Sequence, residues 1–121
     1  MPSLFEVSAG KLAGPTTGGT VTQATNKTTG VTLNTESGQI TMNNAALGAA
    51  AEASFTVTND KIAATDVVVV NHGSGGTAGS YLVGATAIAA GSFEITVTNV
   101  SGGSLSEAIA INFVALKGAS S

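Results

Sequence analysis

Cysteine, arginine and tryptophan are missing from this chain of 121 residues. Without cysteine there is no disulfide, no thiolate metal site and no thiol nucleophile. Charge is scarce as well: 9% of residues are charged, against about 25% in an ordinary soluble domain. The four cations, Lys11, Lys27, Lys61 and Lys117, are scattered through a chain of net charge −3. Binding to a phosphate backbone needs clustered cations, so nucleic acid is excluded as a partner. No apolar run approaches the roughly 20 residues of a membrane-spanning helix, and the N-terminus MPSLFEVSAGK lacks the basic and apolar regions of a secretory signal. The expectation is a soluble chain made in the cytoplasm, with no membrane partner. Asn26-Lys27-Thr28 and Asn99-Val100-Ser101 match the glycosylation sequon, but without a secretory route they read as chance matches.

What is present is apolar and small. Hydrophobic residues make up 43%, mostly Ala and Val, which excludes disorder, since disordered chains combine low hydrophobicity with high net charge. The length allows one domain and one core. So few charges cannot solvate a large free surface, and partners or a carpet of Thr, Ser and Asn must cover much of it.

The chain is organised around residues 66–71, DVVVVN. In a strand successive side chains alternate between faces, so Val67 and Val69 look one way while Val68 and Val70 look the other. Both faces then require a cover: a second sheet on one side, and a loop, an arm or a neighbouring subunit on the other. Residues 1–19, interrupted by Pro2, Gly10, Gly14, Pro15, Gly18 and Gly19, read as an extended N-terminal arm with no local core for Leu4, Phe5, Val7 and Leu12. Residues 20–118 form the domain, and 119–121 a C-terminal tail.

Period-two alternation marks the strands. Residues 20–23 and 31–34 read as a hairpin about a polar turn, and 39–42 as a third strand. Residues 43–53, NNAALGAAAEA, allow a turn or two of helix or an Ala-rich connection between sheets, because Gly48 interrupts any longer helix. Residues 53–59 place Phe55 and Val57 inward. Further strands follow the valine run at 80–89, 93–100 and 108–116, with Phe93 and Phe113 in the core. The repeated TVTN of residues 56–59 and 96–99 fits equivalent strands in two halves of a sandwich, or plain convergence in a Thr-rich chain. Strands separated by turns every 8 to 12 residues predict an all-β, single-domain antiparallel β-sandwich or jelly-roll-like barrel.

The loop after the valine run, HGSGGTAG, is the stretch most open to a chemical reading. Gly73, Gly75 and Ala78 match a phosphate-cradling pattern, but such a cradle needs a helix after it and the following residues are β-like. His72 is the single histidine, with no ligand spacing around it. Asn59, Asp60 and Asp66 lack the acidic loop of a calcium site. Ser74, His72 and Asp66 lie too close along one strand and its loop to converge as a triad. The seven acids, isolated in turns and strand ends, read as solvation. No catalytic, metal or cofactor-binding residue is expected, and the chain is not expected to be an enzyme. Tyr81 beside the loop is either a sugar-stacking platform or a packed ring with a wet hydroxyl.

The Thr-rich segments GTVTQ (19–23), KTTGVTLN (27–34), GQITM (38–42), SFTVTN (54–59), GSF (91–93) and SLSEA (104–108) resemble a small module recurrent in structural proteins of tailed bacteriophages and prophages. The resemblance spans residues 18–118. It implies a virion protein without catalytic residues, either a head-decoration (cement) protein or a tail-fibre-associated module. A free-standing chain of this size beginning at Met1, with no fibre shaft, favours the first. On that reading a homotrimer made in the host cytoplasm sits on the capsid surface over junctions of the major capsid protein, with no cofactor. Leu4, Phe5, Val7 and Leu12 are its expected anchors, and Val68, Val70, Ile109 and Ile111 are expected to pack in the core or between subunits. The alternative is a carbohydrate- or receptor-binding module using His72, Gly73, Ser74 and Tyr81.

Overall fold

The computed structural model describes residues 18–118, together with the backbone of two dipeptides nearer the N-terminus. Those dipeptides, β1 (Val7–Ser8) and β2 (Lys11–Leu12), pair antiparallel, with Val7 opposite Leu12 and Ser8 opposite Lys11. Then follow β3 (Thr20–Thr22), β4 (Val31–Thr32), β5 (Ser37–Thr41) and β6 (Glu52–Thr58). The chain continues with β7 (Val67–Ser74), β8 (Tyr81–Ala89), β9 (Ser92–Asn99) and β10 (Ala110–Leu116). Two four-stranded sheets result, one in the order β3-β5-β10-β7 and the other β4-β6-β9-β8. The all-β sandwich expected from the alternation is what the chain forms.

The alternation is cleanest in the middle of the second sheet. Along β6, Ala53, Phe55 and Val57 are buried while Glu52, Ser54, Thr56 and Thr58 are exposed. β9 lies beside it with Phe93, Ile95 and Val97 buried, Phe55 opposite Ile95 and Val57 opposite Phe93. In the first sheet β10 contributes Ile111, Phe113 and Ala115 to the same core. Phe93 and Phe113 meet across the sandwich with ring centroids 5.6 Å apart. Where the sheets adjoin, β7 packs beside β8 on one flank and β3 beside β4 on the other.

Two expectations are corrected and two open alternatives are decided. Residues 20–34 are not a hairpin: β3 runs parallel to β5 in the first sheet and β4 parallel to β6 in the second, so both sheets are mixed rather than antiparallel. The cause is the polar residues of the supposed turn. Gln23 is buried and binds the Thr29 carbonyl and the Asn43 amide through its side chain, which holds the chain as it crosses between layers. Of the helix and the connection that residues 43–53 allowed, the chain forms the connection: it crosses between the sheets without a helix, and β6 begins at Glu52. Leu47 exchanges both backbone hydrogen bonds with Leu105, so these groups cannot serve a helical turn.

The TVTN segments belong to neighbouring strands of one sheet, not to two halves. They share a function in the fold, because Asn59 and Asn99 are both fully buried and each turns the chain at a strand end by accepting the amide two residues on. The valine run, finally, is covered on one face only. Val68 and Val70 pack against the core, but Val67 and Val69 stay 55% and 49% exposed. β7 is the last strand of its sheet.

Candidate functional site

The loop between β7 and β8 is the most organised irregular segment, and its shape follows from its glycines. At Gly73 the pairing of β7 with β10 shifts register, and a Cβ there would run into the Asn112 side chain. Gly76 is left-handed at φ +67°, and a Cβ on it would lie 2.7 Å from Ile109 Cγ2. Only glycine lets this loop lie so close on residues 107–109.

Glu107 fastens the loop. Its Oε1 accepts from the Thr77 amide (3.0 Å) and the Tyr81 hydroxyl (2.9 Å), and its Oε2 from the Thr77 hydroxyl (2.8 Å). The bonds from Thr77 and Tyr81 hold the Glu107 carboxyl below its usual value. Burial, with the facing carboxylate second, pushes the Tyr81 phenol up to about 12. His72 sits edge-on to Tyr81, centroids 5.5 Å apart, and its Nε2 approaches the carbonyls of Gly75 (2.6 Å) and Ser74 (3.1 Å). Carbonyls only accept, so Nε2 carries a proton. His72, Tyr81 and the small loop residues between them line a shallow depression of about 240 Å³.

The structure therefore brings together the four residues of the expected ligand loop, His72, Gly73, Ser74 and Tyr81. It also changes what two of them can do. Tyr81 is 6% exposed with its hydroxyl bonded, so it is neither a stacking platform nor a packed ring with a wet tip. The glycine loop leads into β8, not into a helix N-terminus. Asp66 lies six residues from His72, about 20 Å along a strand, too far for a triad. Among the described residues no three of His, Asp and Glu cluster as metal ligands.

Reading the acids as solvation missed two of them. Glu107 is one; its partners lie 26 and 30 residues away, beyond any local pattern. Asp66 is the other, with its side chain 1% exposed. It accepts from the Ala63 amide at 2.9 Å and from Lys117 Nζ at 3.0 Å. Burial alone would raise its pKa, but the Ala63 amide, the Lys117 ammonium and the Gly118 amide together lower it. A carboxylate depressed on folding adds stability above its unfolded pKa and loses it as pH falls through the lower folded value. Asp66→Asn is expected to cost about 1 to 3 kcal/mol at neutral pH. Thermal melts at decreasing pH should show this deficit shrinking below pH 3.8, the ordinary value, as the wild type loses the same charge.

Of the expected assembly contacts, Ile109 and Ile111 are fully buried and join the sheets, so they offer nothing to another chain. Val68 and Val70 are half-buried against the same core. Leu4 and Phe5 lie outside the described residues, and Val7 and Leu12 are described only by their backbone pairing. One surface feature went unread. Val67 stands opposite Leu116 and Val69 opposite Val114, making an aliphatic cluster on the outer side of the first sheet. Comparison with family models, with curated proteins and with solved structures finds no match to this chain.

Proposed function

We propose that the chain is a non-enzymatic virion structural protein of a tailed bacteriophage, a capsid decoration (cement) protein that binds the outside of the head and stabilises the shell. The observation that carries this reading is that the groups best suited to chemistry are spent inside the fold. Glu107 holds Thr77 and Tyr81, His72 Nε2 faces the loop carbonyls, and Asp66 holds Ala63 and Lys117. Around them lies a surface of hydroxyls and amides, such as Ser54, Thr56, Thr96 and Asn112. Such a module acts by contact. Bound as a trimer over junctions of the major capsid protein, through Leu4, Phe5 and Val7, it would add to shell stability by mass action.

The full chain should sediment as a trimer at micromolar concentration. It should co-sediment with heads stripped of decoration and raise their disruption temperature, with Phe5→Ala binding more weakly. Failure of the full chain to bind such heads overturns the reading. A second reading, a tail-fibre or carbohydrate-binding module, draws on the depression beside His72. Specific binding on a glycan array, lost in His72→Ala, would decide for it.

A further inference from the structure

Past Ser74, which pairs with Ala110, the loop between β7 and β8 runs through Gly75, Gly76 and Gly79, all left-handed, to the start of β8. Glycine gives up more conformational freedom on folding than any other residue, so fixing these three in one closed arrangement needs strong holds. The side-chain holds converge on one group. Thr77 donates its amide to Glu107 Oε1 and its hydroxyl to Oε2, and Tyr81 donates its hydroxyl to Oε1. Beneath them the loop lies on residues 107–109: a Cβ on Gly75 would stand 2.8 Å from the Ala108 carbonyl oxygen, and one on Gly76 2.7 Å from Ile109 Cγ2. Residues 75–79 are exposed while Ile109, under them, is fully buried.

We propose that residues 75–80 are a lid over Ile109, latched by the ionised Glu107 carboxylate and released when that carboxylate takes up a proton. An ionised carboxylate accepts at both oxygens, and here three donors face it. A proton turns one oxygen into a donor and removes the charge that makes such bonds about twice as strong as neutral ones. The other titratable groups facing Glu107 do not work the latch. Lys27, whose Nζ binds the Glu107 carbonyl, and His72, at the end of β7, both favour the carboxylate when charged. When the His72 ring gains its second proton, Nε2 still donates to the carbonyls of Ser74 and Gly75. The Tyr81 phenol, pushed up to about 12, keeps its proton throughout the acid range. Closure therefore adds stability above the ordinary carboxyl value of 4.5 and loses it as pH falls through the lower value that the bonds from Thr77 and Tyr81 impose. The inference concerns the free chain and stands or falls apart from what the protein attaches to.

Tyr81 is the single tyrosine and the chain has no tryptophan, so its emission reads the latch directly. A phenol that donates to a carboxylate emits weakly, because the carboxylate draws off its proton in the excited state. On acidification of the full chain, Tyr81 emission should rise with a midpoint below pH 4.5, while the far-ultraviolet circular dichroism of the sandwich stays unchanged. Over the same range the Thr77 amide should lose hydrogen-exchange protection by about tenfold or more, measured against its intrinsic rate at each pH. Glu107→Gln should emit strongly at neutral pH and show no step. Thr77→Val removes one donor from the carboxylate and should move the step up by about one pH unit, which carries the test if Glu107→Gln fails to fold. A step that persists in Glu107→Gln, a step that Thr77→Val leaves in place, or emission that rises only as the circular dichroism is lost overturns the proposal. Unchanged protection of the Thr77 amide across the emission step overturns it likewise, since the phenol would then have turned away under a closed lid.

Discussion

Lys27→Met is expected to lower folding stability by about 2 to 5 kcal/mol, a large share of the 5 to 15 kcal/mol that holds a domain together. Lys27 is only 4% exposed. Its Nζ donates to the carbonyls of Asn43 and of Glu107, the latter at 2.8 Å, and so ties the crossing between β3 and β4 to two distant segments. Methionine keeps the length and apolar stem but leaves both carbonyls without this donor, each at a cost of about 1 to 3 kcal/mol. Lys61→Met, at an exposed position, should change stability by no more than about 0.5 kcal/mol. Denaturant melts would show the difference as a shifted midpoint at constant slope. A loss below about 1 kcal/mol would mean that water replaces the ammonium at both carbonyls.

The pH dependence offers a separate check. Burial lowers the Lys27 pKa from its ordinary 10.5, with Glu107 opposing. Between the lowered value and 10.5 the unfolded chain holds a proton that the folded chain has released, so stability rises with pH through that window. Lys27→Met should lack this rise. Tyr81 acts in the opposite sense: with its pKa raised from 10.0 to about 12, its contribution is complete below pH 10 and lost across that interval. The lysine effect is therefore best measured below pH 10.

Why Lys27 escaped a reading of the sequence also explains which parts of the fold were legible. Strands with one wet face announce themselves, and β6 and β9 do so through Phe55, Val57, Phe93 and Ile95, all buried as their alternation implies. The Ala-rich connection and the loop at His72 were legible by composition for the same local reason. Gln23 and Lys27 look like ordinary turn residues because nothing nearby reveals that their partners are Asn43 and Glu107. Those long-range polar contacts send β3 and β4 to different sheets. The valine run carried the right alternation, but whether a strand lies at the centre or the edge of its sheet depends on pairing order, which four valines do not encode. For the candidate site, the loop could be located and its organiser could not, since Glu107 meets Thr77 and Tyr81 only after β10 has been set beside β7.

The paired asparagines allow the last expectation to be graded within one molecule. Asn99→Ala should cost about 3 to 5 kcal/mol and Asn59→Ala about 1 to 3, because both are fully buried but differ in what they hold. Asn99 makes four hydrogen bonds: Nδ2 donates to the carbonyls of Leu47 and Gly103, and Oδ1 accepts from the amide and hydroxyl of Ser101. It thereby joins the end of β9 to the bridge between Leu47 and Leu105, which closes that end of the sandwich. Asn59 makes two, donating to the Thr35 carbonyl and accepting from the Lys61 amide. Removing either side chain strands backbone groups in a place that water reaches poorly, and the cost scales with how many are stranded. Asn99→Asp tests the geometry further, since a carboxylate could still accept from Ser101 but would face two carbonyls it cannot satisfy. It should lose about as much stability as alanine at neutral pH and recover part of it in acid, where the protonated carboxyl can donate to one carbonyl. Equal losses for Asn59→Ala and Asn99→Ala in matched denaturant melts would show that the asparagines act through their turns alone, and that the links to Leu47 and Gly103 add nothing.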